Sequence, residues 1–446
     1  MIECNISSNL LAIKDNQIKK IENNPKDRYN IVYIILYGLG CGTTLPWNFF
    51  ITANSYFSMK FESEPLLTKS FQNYFSLAAM LPNLLMMFLN VIYLQRFSRV
   101  KRICISLFIM IVVSIATTSL VLTDTYSWTV QFFVITIAML VVINGSAAVF
   151  QGALFGFASL LPSKYLQAVM AGQGLGGLLV SVISIISMFG NIIASAFGCF
   201  CTAAVVLIIS MVMYILLERL SFVKFYTRKL LLDSVYLEEF KEKSHVFTED
   251  THEDHEHNDS AIIVQPEKNG ILHIFKKILP ASLSAFLVFF VTLSVFPSTI
   301  ARIQSSSNQH NQWTDKFFIP VTCFLLFNLG DFLGKCLSGF VYWPKTSRLL
   351  ILMCAARLVF LPLFALCNAQ PRDNGTLIVF QHDAWPILFT IVFATTNGYL
   401  GCIAVMQGPT YVNARDAEMA GTIMVFSVVA GLTCGAAFSF AIAPNL

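Results

Sequence analysis

Residues 324–343, FLLFNLGDFLGKCLSGFVYW, decide how this chain is read. The run is apolar and, at about 20 residues, long enough to cross the hydrocarbon core of a bilayer. Yet it holds Asp331 and Lys335 near its middle. A charge at the bilayer centre costs about 2.5–3.5 kcal/mol even on insertion scales. The two lie at i and i+4, one turn apart on one helix face, acidic residue first, which is the favourable order. Asn328, three residues earlier, joins that face, and Gly330 and Gly334 thin the helix wall beside it. Intramembrane ionisable groups face a bundle interior or a wet cavity. Two readings follow: an ion pair that only holds helices together, or a hydrogen-bonding ledge of Asn, Asp and Lys that meets a polar solute.

The rest of the chain supplies the membrane setting. Of 446 residues, 56% are hydrophobic and only 12% charged, 40 are Phe, and the mean hydropathy is +0.68. Soluble domains carry about 25% charged residues. An all-α, polytopic membrane protein is therefore expected. Apolar runs long enough to span occur eleven times, near 31–57, 71–95, 103–123, 128–160, 165–190, 193–217, 278–302, 315–342, 349–368, 384–408 and 419–442. The division expected is a cytoplasmic segment 1–28, a six-helix bundle 29–217, a loop 218–277 and a five-helix bundle 278–446. With five basic residues in the first 28 and no apolar signal core there, the first span is expected to act as its own insertion signal.

Basic residues set the orientation. With the N-terminus cytoplasmic, twenty-two of the 29 Lys and Arg fall inside and five outside, leaving Lys335 and Arg357 within spans. An odd number of spans puts the C-terminus outside. Asn374-Gly375-Thr376, in the outer loop after the ninth span, then becomes a glycan acceptor; Asn258-Asp259-Ser260 fits the same sequon on the cytoplasmic side. The acidic tract at 249–259 offers His252, Glu253, His255 and His257. It reads either as a solvated, disordered linker or as a compositional hint of metal binding. No CxxC pair supports a metal or redox framework among the 11 cysteines. HExxH, paired carboxylates and a Ser–His arrangement are all missing at membrane depth, so no enzyme is expected.

Polar groups concentrate in a few spans. The first places Gly38, Gly40, Gly42, Thr44, Pro46, Trp47 and Asn48 together. Trp47 there is either an interface anchor or an aromatic lining a cavity. In the fourth, Gln151 sits among small residues with Asn144 and Ser146; its amide either pairs between helices or meets a solute, because leaving it unpaired in hydrocarbon is costly. The fifth opens AGQGLGGLLVS, a small-residue face suited to close packing. Asp331 is the only acidic residue deep in a span and Lys335 neutralises it. That is a poor site for coupling to Na⁺ or protons, and it favours facilitated diffusion.

Together GLGCGTTLPWNFFITANSYF, QGALFGFASLLP, GQGLGG, FIPVTCFLLFNLGDFLGK, ARLVFLPLFALCN, HDAWPILFTIVFATTNGYL and AEMAGTIMVFS resemble the equilibrative nucleoside transporters, in order, from about Arg28 to Phe440. The resemblance implies a six-plus-five arrangement related to the major facilitator fold, with one nucleoside site at mid-membrane and alternating access. It implies further that Trp47 packs on the nucleoside and Gln151 reads the base edge. Asp331 and Lys335 hold the ribose hydroxyls with Asn328 near them, and Met80 and Leu432 line the cavity. Ile51 and Pro297 resemble an outer constriction, and Arg102 with Glu418 an inner tether. No cofactor and no nucleic-acid partner is implied, and the chain is expected to act as a monomer in the plasma membrane. Three departures stand out. Lys335 replaces the family's usual Arg and loses its planar fork. Thr44 and Asn83 stand where leucine is common, which implies a wetter pocket, altered sensitivity to bulky apolar inhibitors and a shift toward nucleobases. The rivals are a proton-linked nucleoside or nucleobase carrier, an organic-cation carrier on the same scaffold, and a non-transporting receptor.

Overall fold

The computed structural model describes residues 25–93, 96–227, 270–307, 311–370 and 378–442; the side chains of 46, 47, 49, 51, 52, 54, 69 and 440–442 are excepted. Asn374, the 249–259 tract with its histidines, and most of the 1–28 segment lie outside the described residues.

The described chain is helical throughout, with two isolated β-bridges in the loops. Eleven long helical segments follow one another among the described residues: α1 Ile31–Thr52, α2 Pro65–Tyr93, α3 Arg99–Val121, α4 Thr129–Ser159, α5 Ser163–Ser187, α6 Ile192–Arg219, α7 Ile271–Val295, α8 Leu326–Phe340, α9 Ser347–Ala365, α10 Ala384–Gln407 and α11 Ala417–Ile442. Ten of these segments, α8 counted with its lead-in from Pro320, are long and apolar enough to cross a membrane. The remaining one, α1, has 22 residues, about 33 Å of helix, which also suffices. The protein is an integral membrane protein. α7 starts seven residues before the expected 278 and takes in Pro280, which lacks the N–H that would bond the carbonyl four residues earlier. α8 is preceded by two π-helical turns, Trp313–Phe317 and Pro320–Leu325, and α9 is broken by a tighter turn at Arg357–Val359.

Helices α1–α6 pack on one another, α1 along α5, α2 and α3 against α4, and α3 against α6. Helices α7–α11 do the same, α7 along α11 and α8 along α10. The two groups meet where α5 crosses α8 and where α11 lies against α4 and α2. Small residues permit the closest approaches, as expected where no hydrophobic driving force separates helix from lipid. A Cβ on Gly172 of α5 would sit 1.9 Å from the Tyr37 carbonyl oxygen of α1, and one on Gly398 of α10 would sit 1.9 Å from that of Asp331 in α8. At such points two backbones touch.

Candidate functional site

Asp331 and Lys335 leave lipid entirely: each is only 6% exposed. The helical i, i+4 spacing brings Lys335 Nζ to 2.7 Å from Asp331 Oδ2. The second carboxylate oxygen is also taken, because Asn397 of α10 donates its Nδ2 to Asp331 Oδ1 at 2.7 Å. Asn397 Oδ1 in turn lies 2.7 Å from the Thr292 hydroxyl of α7. That hydroxyl accepts from Arg357 of α9 at 3.1 Å. Arg357, 2% exposed, also donates to the carbonyls of Val288 and Phe393 and stacks over the Phe393 ring. A line of hydrogen bonds thus crosses α9, α7, α10 and α8, carrying two cations and one carboxylate through the interior.

The glycines of α5 set this cluster beside α1. The Cβ positions of the adjacent residues Gly176 and Gly177 would fall 2.6 Å from Thr44 Oγ1 and 2.4 Å from Asn328 Oδ1, respectively. Only the backbone of α5 therefore separates Thr44 of α1 from Asn328 of α8. Gly174, one turn away, lets the Lys335 stem rest against α5. The Asn328 amide donates to Ser181 Oγ of α5 at 2.7 Å and to its own helix at Phe324. Thr44 and Asn48 are linked along α1, where Asn48 Nδ2 donates to the Thr44 carbonyl at 2.9 Å.

Trp47 and Ile51 lie on α1, but their side chains are outside the described residues. Gln151 lies on α4 nine residues after lipid-exposed Val142, about two and a half turns, and so on the opposite side of the helix. It is half-buried and has no hydrogen-bonded partner among the described residues. Asn83 likewise stands two residues from each of the exposed Leu81 and Leu85, facing away from lipid, and its buried Oδ1 has no donor. Met80, three residues earlier, shares that face of α2, and Leu432 is half-buried on α11. Pro297 is exposed in the turn after α7.

At the lysine- and arginine-rich end of the bundle, Arg102 Nη2 meets Glu418 Oε1 at 3.1 Å. This links α3 to α11, and Arg102 Nη1 is held by Asn90 Oδ1 at 2.8 Å. Two further links join the helix groups nearby. Gln167 of α5 accepts from the Tyr33 hydroxyl of α1 and donates to the Lys335 carbonyl, both at 2.9 Å. Thr422 of α11 donates to the Gly152 carbonyl, beside Gln151, at 3.1 Å. Sequence reasoning identified Arg102 and Glu418 but missed Asn90, Gln167, Thr292, Arg357, Asn397 and Thr422. For Asn90 a signal existed: it follows Asn83 by seven residues on the same face of a span. Among the described residues no group of three or more His, Cys, Asp or Glu stands ready for a metal.

In solved structures the fold resembles the proton:xylose symporter of the major facilitator superfamily, with TM-score 0.57 over 92% of this chain and 88% of that one at 12% identity. The fucose:proton symporter of E. coli aligns with TM-score 0.51 at 11% identity. Such low identity supports the fold alone. In sequence, human equilibrative nucleoside transporter 1 is 38% identical over 94% of this chain and 98% of its own length. For human equilibrative nucleoside transporter 2 the identity is 35% over 93% and 97%. The family model described as nucleoside transporter matches residues 137–443. With an all-helical fold of the major facilitator kind and relatives alike from end to end, this chain belongs to the nucleoside transporter family.

Proposed function

We propose that the protein carries nucleosides, and nucleobases with them, across a membrane by facilitated, ion-independent alternating access. The observation that carries this reading is the buried Lys335–Asp331–Asn397 cluster, set within a chain of this family. Each oxygen of the Asp331 carboxylate accepts one donor, from Asn397 and from Lys335, and keeps a further lone pair for a hydroxyl. A neutral solute with vicinal hydroxyls suits it: the hydroxyls accept from Lys335 and donate to Asp331, replacing water that the solute gives up. Trp47 then supplies an aromatic floor, and Gln151, with a free amide on the inward face of α4, reads the base edge. Asn328, Thr44, Asn83, Met80 and Leu432 complete the lining.

Access alternates between Ile51 with Pro297 at the outer mouth and Arg102 with Glu418 at the inner one. The bundles 29–217 and 278–446 rock about the site, joined by the cytoplasmic segment between α6 and α7. The excess of basic residues at one end supports a cytoplasmic N-terminus and an outer C-terminus. The protein works as a monomer in the plasma membrane, without enzymatic activity.

Radiolabelled uridine and adenosine uptake into proteoliposomes tests this reading. Uptake is expected to equilibrate and stop, indifferent to Na⁺ and to a pH gradient, and Asp331→Asn is expected to abolish it. Accumulation against a gradient, or full uptake by Asp331→Asn, refutes it.

A further inference from the structure

Resting on the alternating-access reading, we propose that Gln167 is a positioning residue that ties Lys335 to the opposite half while the inner end is shut, a second latch at the interface that Arg102 and Glu418 do not reach. Gln167 stands on the second turn of α5 and is only 3% exposed. Its amide has two different ends. The Lys335 carbonyl of α8 can only accept, so it takes the Nε2 end, at 2.9 Å. Oε1 is left to accept from the Tyr33 hydroxyl of α1, also at 2.9 Å. Since α1 and α5 pack together in one half and α8 belongs to the other, the first bond crosses between halves and the second stays within one.

The surroundings suit a contact made to break and reform. Gly339, one turn past Lys335, leaves the room that the amide fills: a Cβ there would lie 3.0 Å from Gln167 Cδ. Two turns along the same face of α5, a Cβ on Gly174 would lie 3.2 Å from Lys335 Cδ. Helix α5 thus holds both the backbone and the stem of the residue whose ammonium sits 2.7 Å from Asp331. On its own side Gln167 has a firm base. Asp27 accepts from the backbone N–H groups of Val32 and Tyr33 and from the Tyr165 hydroxyl, which fastens the start of α1 to the start of α5. On the far side, the Lys335 carbonyl also accepts from the Ser338 hydroxyl at 2.7 Å, so it keeps a donor when Gln167 leaves. Gln167 keeps Tyr33, and water entering the opening cleft replaces Lys335 as its acceptor. Neither end of the broken bond is left without a partner.

The two interfaces between the halves are then held by different means. Where α11 meets α3 and α4, the Arg102–Glu418 ion pair and the Thr422–Gly152 bond hold them. Where α5 crosses α8, Gln167 does so, and it acts on a residue of the proposed ledge itself. Parting of the inner end frees Lys335 from α5, so loosening of the grip on the solute and opening of its way out are one movement. Loss of this one neutral hydrogen bond is expected to raise the ratio of inner-open to inner-closed molecules about two- to twelve-fold.

Spin-label distance measurements on the purified protein in lipid nanodiscs read that ratio. Labels at Lys164→Cys and Lys345→Cys, both exposed, stand at the start of α5 and in the turn after α8. Gln167→Met keeps the length of the side chain and removes both polar ends. It is expected to enlarge the long-distance population about two- to twelve-fold. Because the interfaces are separate, its shift is expected to multiply that of Glu418→Gln. Gly339→Ala crowds the amide by a few tenths of an ångström and leaves Gln167 in place; it is expected to shift the population the same way by less. An unchanged distribution in Gln167→Met overturns the proposal, as does the lack of any added shift in the Glu418→Gln background. Should Gln167→Met fail to fold, an unchanged distribution in Gly339→Ala overturns it. A side chain that only packs α1 on α5 would lower the melting temperature and leave the distances alone. Failure of the transport reading is separate and shows in the wild type: no uridine uptake into proteoliposomes, or one fixed inner distance with and without uridine.

Discussion

Gly398→Ala is the smallest change expected to silence the site without touching a polar group. The added methyl would lie 1.9 Å from the Asp331 carbonyl oxygen, where ordinary van der Waals contact begins at 3.4 Å. The obstacle is backbone, so α8 and α10 must part by about 1.5 Å at this level. Asn397 precedes Gly398 in α10 and moves with it. Its 2.7 Å bond to Asp331 Oδ1 then stretches to about 4 Å, beyond hydrogen-bonding range. Loss of a hydrogen bond to a charged group is worth about 1.5–3 kcal/mol, and overpacking adds about 1–3 kcal/mol of destabilisation. The first figure corresponds to a loss of about ten- to 150-fold in uridine affinity if the ledge binds substrate only when intact. Saturation uptake in proteoliposomes gives KM, and fluorescence-detected gel filtration after heating gives stability. A Gly398→Ala protein with the wild-type KM and the same melting temperature would refute the argument, because two backbones at that distance cannot absorb a methyl unchanged.

Three further outcomes are expected. Arg357→Lys reaches fewer of the three oxygens that Arg357 now serves and leaves buried acceptors unsatisfied; a loss of about 1–3 kcal/mol in stability is expected by thermal denaturation, with a raised KM for uridine. Glu418→Gln removes the charge of the α3–α11 link, and cytoplasmic-side cysteine probes at Ser159 are expected to react faster than in the wild-type background. Asn374→Gln is expected to remove a glycosidase-sensitive mobility shift that Asn258→Gln leaves intact; the reverse result would invert the proposed orientation.

The span positions were legible because lipid imposes a length and a composition that few soluble segments meet. The fourth was expected at 128–160 and lies at Thr129–Ser159, and the tenth was expected at 384–408 and lies at Ala384–Gln407. The start of α7 was misjudged because Lys276 and Lys277 read as loop, although a helix projecting past the membrane carries such residues readily. Asp331 and Lys335 were legible as a pair from their spacing alone. Their partners were not. Arg357 appeared only as a second charge left within a span and Asn397 was not singled out at all, since what joins them to Asp331 is the crossing of four helices. That crossing is set by contacts such as Gly334 on Thr395 and Gly398 on Asp331, which a one-dimensional pattern does not record. Gln167 was hidden in the same way: it lies just before the small-residue face of α5 and bridges α1, α5 and α8.

The unequal anchoring of Arg102 and Glu418 bears on how the proposed inner gate would let go. The guanidinium, 8% exposed, keeps Asn90 as a neighbour within its own half, whereas the carboxylate is already 28% wet. When the halves separate, the cation therefore stays solvated by protein and the anion departs toward water that already touches it. Neither ion is stranded in hydrocarbon at any point of the movement. A lock built this way releases on a small push, which is what a carrier without an external energy source requires.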